Sequence, residues 1–101
     1  MAKVTMIGSI ECQPGKGDEM ESVLASMVEA AASEPGVEVY SYHRGEGDQF
    51  WFFALMSDEA AMQHHGQSEA MQTAMQAFGP LMAGPPTMSM AKPIAAIGLE
   101  L

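Results

Sequence analysis

Phe50-Trp51-Phe52-Phe53-Ala54-Leu55-Met56 is apolar without a break. Side chains alternate faces along a strand, so such a run describes a strand covered on both sides. Working back from it, Gly45-Glu46-Gly47-Asp48 is a hairpin-type loop. The loop joins the run to Val37–Arg44, a strand rich in β-branched and aromatic residues, with Val37 and Val39 on one face and Tyr40, Tyr42 and Arg44 on the other. Which faces of these two strands line a pocket and which meet a partner is left open, because both look buried.

Farther out, Lys3–Cys12 alternates as a strand, with Val4, Met6, Gly8, Ile10 and Cys12 on one side. A turn over residues 13–18 leads into a helix expected from about Gly17 to Ser33. Met20, Val23, Leu24, Met27, Val28 and Ala31 form its buried stripe, and Glu34-Pro35-Gly36 stops it. After the apolar run, Ser57 is the expected N-cap of a short helix closing at His64-His65-Gly66. Ser68 caps another helix, with a stripe of Met71, Ala74, Met75, Phe78 and Met82. Gly79-Pro80 and Gly84-Pro85-Pro86 break the chain before a last strand expected over Thr87–Gly98. Pro93 marks an edge or a bulge in that strand, and Met88 and Met90 share a face expected to be core.

The order β-α-β-β-α-β is the split βαβ arrangement of a ferredoxin-like α+β domain, expected as a single unit over residues 1–101. Its helices can cover only one face of a four-stranded sheet. The other face needs a partner, and a second copy of the chain is the simplest one. A homodimer is therefore expected.

Composition narrows the function. The chain has 13 acidic and 4 basic side chains, a formal charge of −9, and Lys3, Lys16, Arg44 and Lys92 are scattered along it. A nucleic-acid backbone or an anionic membrane surface would be repelled, so neither is an expected partner. Cys12 is the only cysteine, which rules out an internal disulfide and a thiolate cluster within one chain. The N-terminus lacks a signal-peptide pattern, and no apolar run approaches the roughly 20 residues of a membrane helix. A cytoplasmic location is the expectation.

Two stretches carry a resemblance. Glu34-Pro35-Gly36-Val37 leading to Tyr40 and His43-Arg44 resembles the E-P-G-x-x-x-Y-x-x-H-R pattern of the antibiotic biosynthesis monooxygenase family. Asp58-Glu59-Ala60-Ala61, His65 and Ser68 resemble its D-E-A-A-x-x-x-H-x-x-S. The resemblance implies a dimeric α/β barrel and, in some members, cofactor-independent oxidation of quinol- or anthrone-type aromatics by O2. The chain departs from the family at several points. Ala54-Leu55-Met56 stands where many members carry E-x-W or E-x-Y, and Ala70 stands where many have a second histidine. Haem-degrading relatives have a histidine where this chain has Ala74-Met75 and an asparagine in the first strand, whereas this chain contains no asparagine. That role is disfavoured.

Cofactor-free oxygenation needs an apolar pocket, a base and donors for the developing anion; the substrate anion supplies the electron, so no cofactor and no metal is expected. On the resemblance, His65 is the candidate base, since imidazole titrates near neutral pH. The same position suits a helix C-terminal histidine interacting with the last carbonyls. Trp51, Tyr40 and His43 are the substrate-pocket candidates. Trp51 equally fits a dimer core, and Tyr40 and Tyr42 equally fit a half-polar dimer face. His64 points roughly 100° away from His65 on a helix and reads as solvated. His43, His64 and His65 lack the spacing of a metal site, and the helix methionines fall on core stripes rather than in a copper-binding pattern. The alternative to an enzyme is a non-catalytic dimeric module that binds a small molecule or a protein.

Overall fold

In a computed structural model, which describes residues 2–100, the chain forms β1 (Val4–Glu11), α1 (Gly17–Ala31), β2 (Val37–Arg44), β3 (Gln49–Met56), α2 (Glu59–Gln67), α3 (Glu69–Phe78), a short 3₁₀ turn (Gly79–Leu81) and β4 (Thr87–Ala91). The strands make one sheet in the order β2-β3-β1-β4, antiparallel throughout. This is the ferredoxin-like α+β fold.

The apolar run lies in β3, beside β1 at the centre of the sheet. Phe50, Phe52, Ala54 and Met56 are buried and pack with Met6 and Ile10 of β1 and with Met20, Leu24 and Met27 of α1. These residues share a face because β1 and β3 pair Met6 with Ala54, Gly8 with Phe52 and Ile10 with Phe50. The opposite face carries Trp51, 51% exposed, and Ile7, 45% exposed, yet Leu55 on that face is only 1% exposed. Leu55 lies near the sheet end to which the C-terminal tail returns. There Lys3 Nζ donates to the Glu100 carbonyl and to the Glu38 carboxylate. The apolar run is thus double-sided, but within one chain its second face is covered only toward Leu55.

Gly8 is required where it stands. A Cβ there would fall 2.1 Å from the Thr87 carbonyl oxygen and 2.5 Å from the Phe52 ring. The glycine lets that ring lie across β1. Gly8→Ala is expected to destabilise the fold by about 2–3 kcal/mol through overpacking, read as a lowered urea midpoint. An unchanged midpoint would mean that β4 shifts at Thr87 and the Phe52 ring turns away at little cost.

Several elements differ from the sequence expectation. Asp58, rather than Ser57, is the N-cap of α2, its carboxylate accepting from the Ala61 N–H at 2.8 Å; the Ser57 N–H is already committed to the Gly36 carbonyl. β4 ends at Ala91 instead of Gly98, because Ala91 pairs with Thr5 near the start of β1 and Pro93 has no N–H to extend the ladder. Met88 and Met90 do share a face, but they are 61% and 53% exposed, since β4 is an exposed edge along its whole length. In α3, Phe78 is buried and Met71 and Ala74 pack on the core, whereas Met75 turns outward. Ser68 caps α3 as expected, accepting from the Met71 N–H. No helix among the described residues is long and apolar enough to cross a membrane.

Candidate functional site

His65 sits in the last turn of α2 and is buried, 3% exposed. Its Nδ1 lies 2.7 Å from Oε2 of Glu34, a residue of the loop between α1 and β2. Gly36 allows that loop to turn at a positive φ of 89°, and a Cβ there would also strike Ala61 of α2. The Glu34-Pro35-Gly36 turn therefore seats against α2 and delivers the carboxylate to the imidazole. In the neutral imidazole, a carboxylate accepting at Nδ1 places the hydrogen on that nitrogen and the lone pair on Nε2. Nε2 is buried and has no hydrogen-bond partner among the described residues.

An orphaned buried polar atom costs about 1–3 kcal/mol, and such atoms are scarce in folded proteins. Beside His65 is a cavity of about 10 Å³ lined by Met27, Ala31, Glu34, Ala70 and Met71. It has room for about one water.

Tyr40 projects from β2 onto the helix side of the sheet and meets His65 edge-on, ring centroids 5.1 Å apart. Its hydroxyl is 2.7 Å from that of Tyr42, and Tyr42 in turn packs against Phe52. The two tyrosines form part of the wall of a cleft of about 390 Å³ between α1 and β2, with Leu24, Ala25, Val28 and Phe50. Arg44 stands at this cleft over the Phe50 ring, its Nη1 bonded to both Asp18 and Glu21 of α1.

The residues singled out from sequence thus divide. The structure brings His65 and Tyr40 together. Trp51 and His43 are register partners on the other face of the sheet, where His43 Nε2 lies 2.9 Å from Ser41 Oγ. Glu34 entered the sequence reading only as part of a helix stop and a motif. Its membership of the Glu-Pro-Gly block was the one available signal, because the pairing with His65 spans 31 residues of chain.

Burial holds the Tyr40 hydroxyl well above the usual phenol range, helped by Tyr42 and by the Glu34 charge. Burial raises Tyr42 as well, opposed by its bond to Tyr40. Both folded values exceed the unfolded one, near about 10. Their contribution to stability is therefore complete below about pH 10 and is lost as pH rises beyond it, because the unfolded chain releases protons that the folded one keeps. The chain has 2 tyrosines, so tyrosinate absorbance reports on this pair alone. It is expected to appear together with loss of circular dichroism in an alkaline titration. Smooth ionisation near pH 10 with the fold intact would contradict this.

The antibiotic biosynthesis monooxygenase family model matches residues 3–77. A candidate antibiotic biosynthesis monooxygenase from Caulobacter crescentus CB15 superposes with a TM-score of 0.88 at 27% identity, over 93% of this chain and 92% of that one. A protein of unknown function from Nitrosomonas europaea does so with a TM-score of 0.87 at 24% identity, over 99% and 97% of the two chains, and supports the fold alone. An uncharacterised Synechocystis protein is 27% identical over 84 residues; the match covers 81% of this chain and 57% of that relative's length. A family match across most of the chain, the shared topology and the Glu-Pro-Gly and His-x-x-Ser blocks seated against each other lead to one conclusion: the chain belongs to the antibiotic biosynthesis monooxygenase family.

Proposed function

We propose that the chain is a cofactor-independent monooxygenase that oxidises a small aromatic of quinol or anthrone type. The observation that carries this reading is His65: buried, held at Nδ1 by Glu34, and left with an unpartnered Nε2. That is the arrangement of an oriented general base. His65 Nε2 takes the proton of the bound substrate, and the substrate anion passes an electron to O2. For an anthrone the balance is one methylene plus O2 giving one ketone plus water, so the substrate is the only reductant. Tyr40 and Tyr42, kept protonated by burial, are donors suited to a developing oxyanion. The cavity at His65 is small, and its Met27 and Met71 walls are flexible side chains that can yield to a ligand.

In this reading the protein works as a homodimer, the Trp51 faces of two sheets packing together. Trp51 and His43 then belong to the interface rather than to the pocket beside His65. The size of the His65 cavity favours a second reading, a dimeric binding module without turnover. Oxygen uptake with a panel of quinols and anthrones separates the two. Uptake that saturates with substrate, scales with protein and ignores a chelator supports the oxygenase. Absence of uptake, with thermal stabilisation by the same compounds, supports the binding module.

A further inference from the structure

A histidine that ligates a metal usually gives its other ring nitrogen to a carboxylate, which fixes the tautomer and raises the basicity of the ligating nitrogen. His65 has that half of the arrangement. Its Nδ1 lies 2.7 Å from Glu34 Oε2, and its Nε2 is buried with no hydrogen-bond partner among the described residues. The cavity of about 10 Å³ beside the ring is lined by two methionines, Met27 of α1 and Met71 of α3. Thioether sulfur is a soft ligand that favours copper(I), and imidazole suits copper as well. The two methionines stand on different helices, so the stripe of neither helix carries a metal pattern by itself.

Charge argues for a monovalent ion. The Glu34 side chain is only 11% exposed, and no Lys or Arg lines the cavity. With a neutral imidazole, the nearly closed site holds one uncompensated negative charge. A protonated imidazole would offset it, but Nε2–H would then be a buried donor with no acceptor among the described residues, which costs stability. A monovalent cation on Nε2 meets both demands, because it engages the lone pair and neutralises the carboxylate. A divalent ion would leave the site positive. Zinc also prefers four ligands drawn from thiolate, imidazole and carboxylate, and among the described residues no group of three or more His, Cys, Asp or Glu could hold an ion. Met27 and Ala70 also line the open groove between α1 and α3. They stand between the cavity and solvent, where the pliable methionine can move aside.

We propose that the His65 cavity is a binding site for a soft monovalent metal ion, copper(I) by its chemistry, held by His65 Nε2 and the thioethers of Met27 and Met71. Glu34 is its positioning residue. Binding involves no change of oxidation state. The proposal stands apart from the oxygenase reading and meets it at one atom, since an ion on Nε2 occupies the lone pair that would otherwise take the substrate proton.

The test follows the imidazole nitrogen resonances of the purified chain by NMR during titration with silver nitrate in chloride-free buffer, silver(I) serving as the redox-inert counterpart of copper(I). Of the 3 histidines, His65 alone is expected to respond, its Nε2 resonance moving while Nδ1 keeps its hydrogen. Zinc sulfate should leave that resonance in place. Affinities come from calorimetry on Cys12→Ala protein, because the Cys12 thiol is a separate soft donor. In that background Glu34→Gln should weaken silver binding about tenfold to hundredfold, the range for a carboxylate behind a metal-bound histidine. Met27→Leu/Met71→Leu, which nearly conserves volume, should weaken it at least as much. Met88→Leu/Met90→Leu, which removes exposed thioethers of β4, should leave it unchanged. A His65 resonance that stays in place at saturating silver, an equal response to zinc, or full affinity in Met27→Leu/Met71→Leu would each overturn the proposal. Silver on His65, with no oxygen uptake by the metal-free chain from any quinol or anthrone, would keep the metal site and remove the oxygenase. Uptake by the metal-free chain, with His65 indifferent to silver, would do the reverse.

Discussion

Replacing His65 with glutamine is expected to lower oxygen uptake, with whichever quinol or anthrone proves active, by about a hundredfold or more, the usual worth of a positioned base. Glutamine is the informative replacement. Its amide can still donate to Glu34, so the buried carboxylate keeps a partner, whereas the nitrogen lone pair that Nε2 presents is gone. His65→Ala would confuse the issue, because Glu34 Oε2 would lose its hydrogen bond in a nearly closed site. That change alone carries a stability cost of about 1–3 kcal/mol. The comparison therefore requires His65→Gln to keep the wild-type circular dichroism and a thermal midpoint within a few degrees. Unchanged turnover in a folded His65→Gln protein would remove the histidine from the chemistry. It would leave the imidazole as a structural link between α2 and the Glu34 turn.

The second large effect concerns assembly. Trp51→Glu is expected to convert a dimer into a monomer at micromolar concentration, with the dimer dissociation constant rising by about a hundredfold or more, as for the loss of a central aromatic anchor. The reasoning is local. Trp51 is half exposed in the single chain and points away from the helix-side core, as does Ile7. A carboxylate there disturbs little within one chain but would be buried unpaired between two sheets. Sedimentation velocity reads the result, with far-UV circular dichroism as the control for folding. A wild-type chain that sediments as a monomer, or a Trp51→Glu chain that remains a dimer, would remove the sheet-to-sheet interface. Ile94 and Ile97 of the tail, 89% and 103% exposed, are further apolar surface that a partner can cover.

Much of this protein was readable as sequence, for local reasons. The order of elements followed from hydrophobic period and from punctuation by Gly-Pro, Pro-Gly and Ser/Asp residues. The Glu34-Pro35-Gly36 stop and the Ser68 cap depend on backbone groups a few residues away, so short stretches contain all the information needed. The apolar character of both faces of β3 was legible as well, since alternation is a property of the strand itself.

Other features depended on groups distant in the chain. Asp58 rather than Ser57 caps α2 because the bond from the Ser57 N–H to the Gly36 carbonyl, across a loop and two strands, prolongs the β2–β3 ladder through Ser57 and starts the helix one residue later. β4 is short because β1 has little ladder left to offer beyond Thr5. The side on which Trp51 and His43 fall was hidden because both faces of β3 are apolar. Only packing of α1 onto Phe50, Phe52 and Met56 chooses between them. A register shift between Val37 and Val39 further obscures the facing of β2. The contact between Glu34 and His65, a loop residue meeting a helix end, has no signature in spacing. The sequence by itself determined which elements form, because hydrophobic period, caps and breakers act within a few residues. Tertiary structure alone decided which chemical groups meet, because that depends on how one surface of the sheet is chosen and covered.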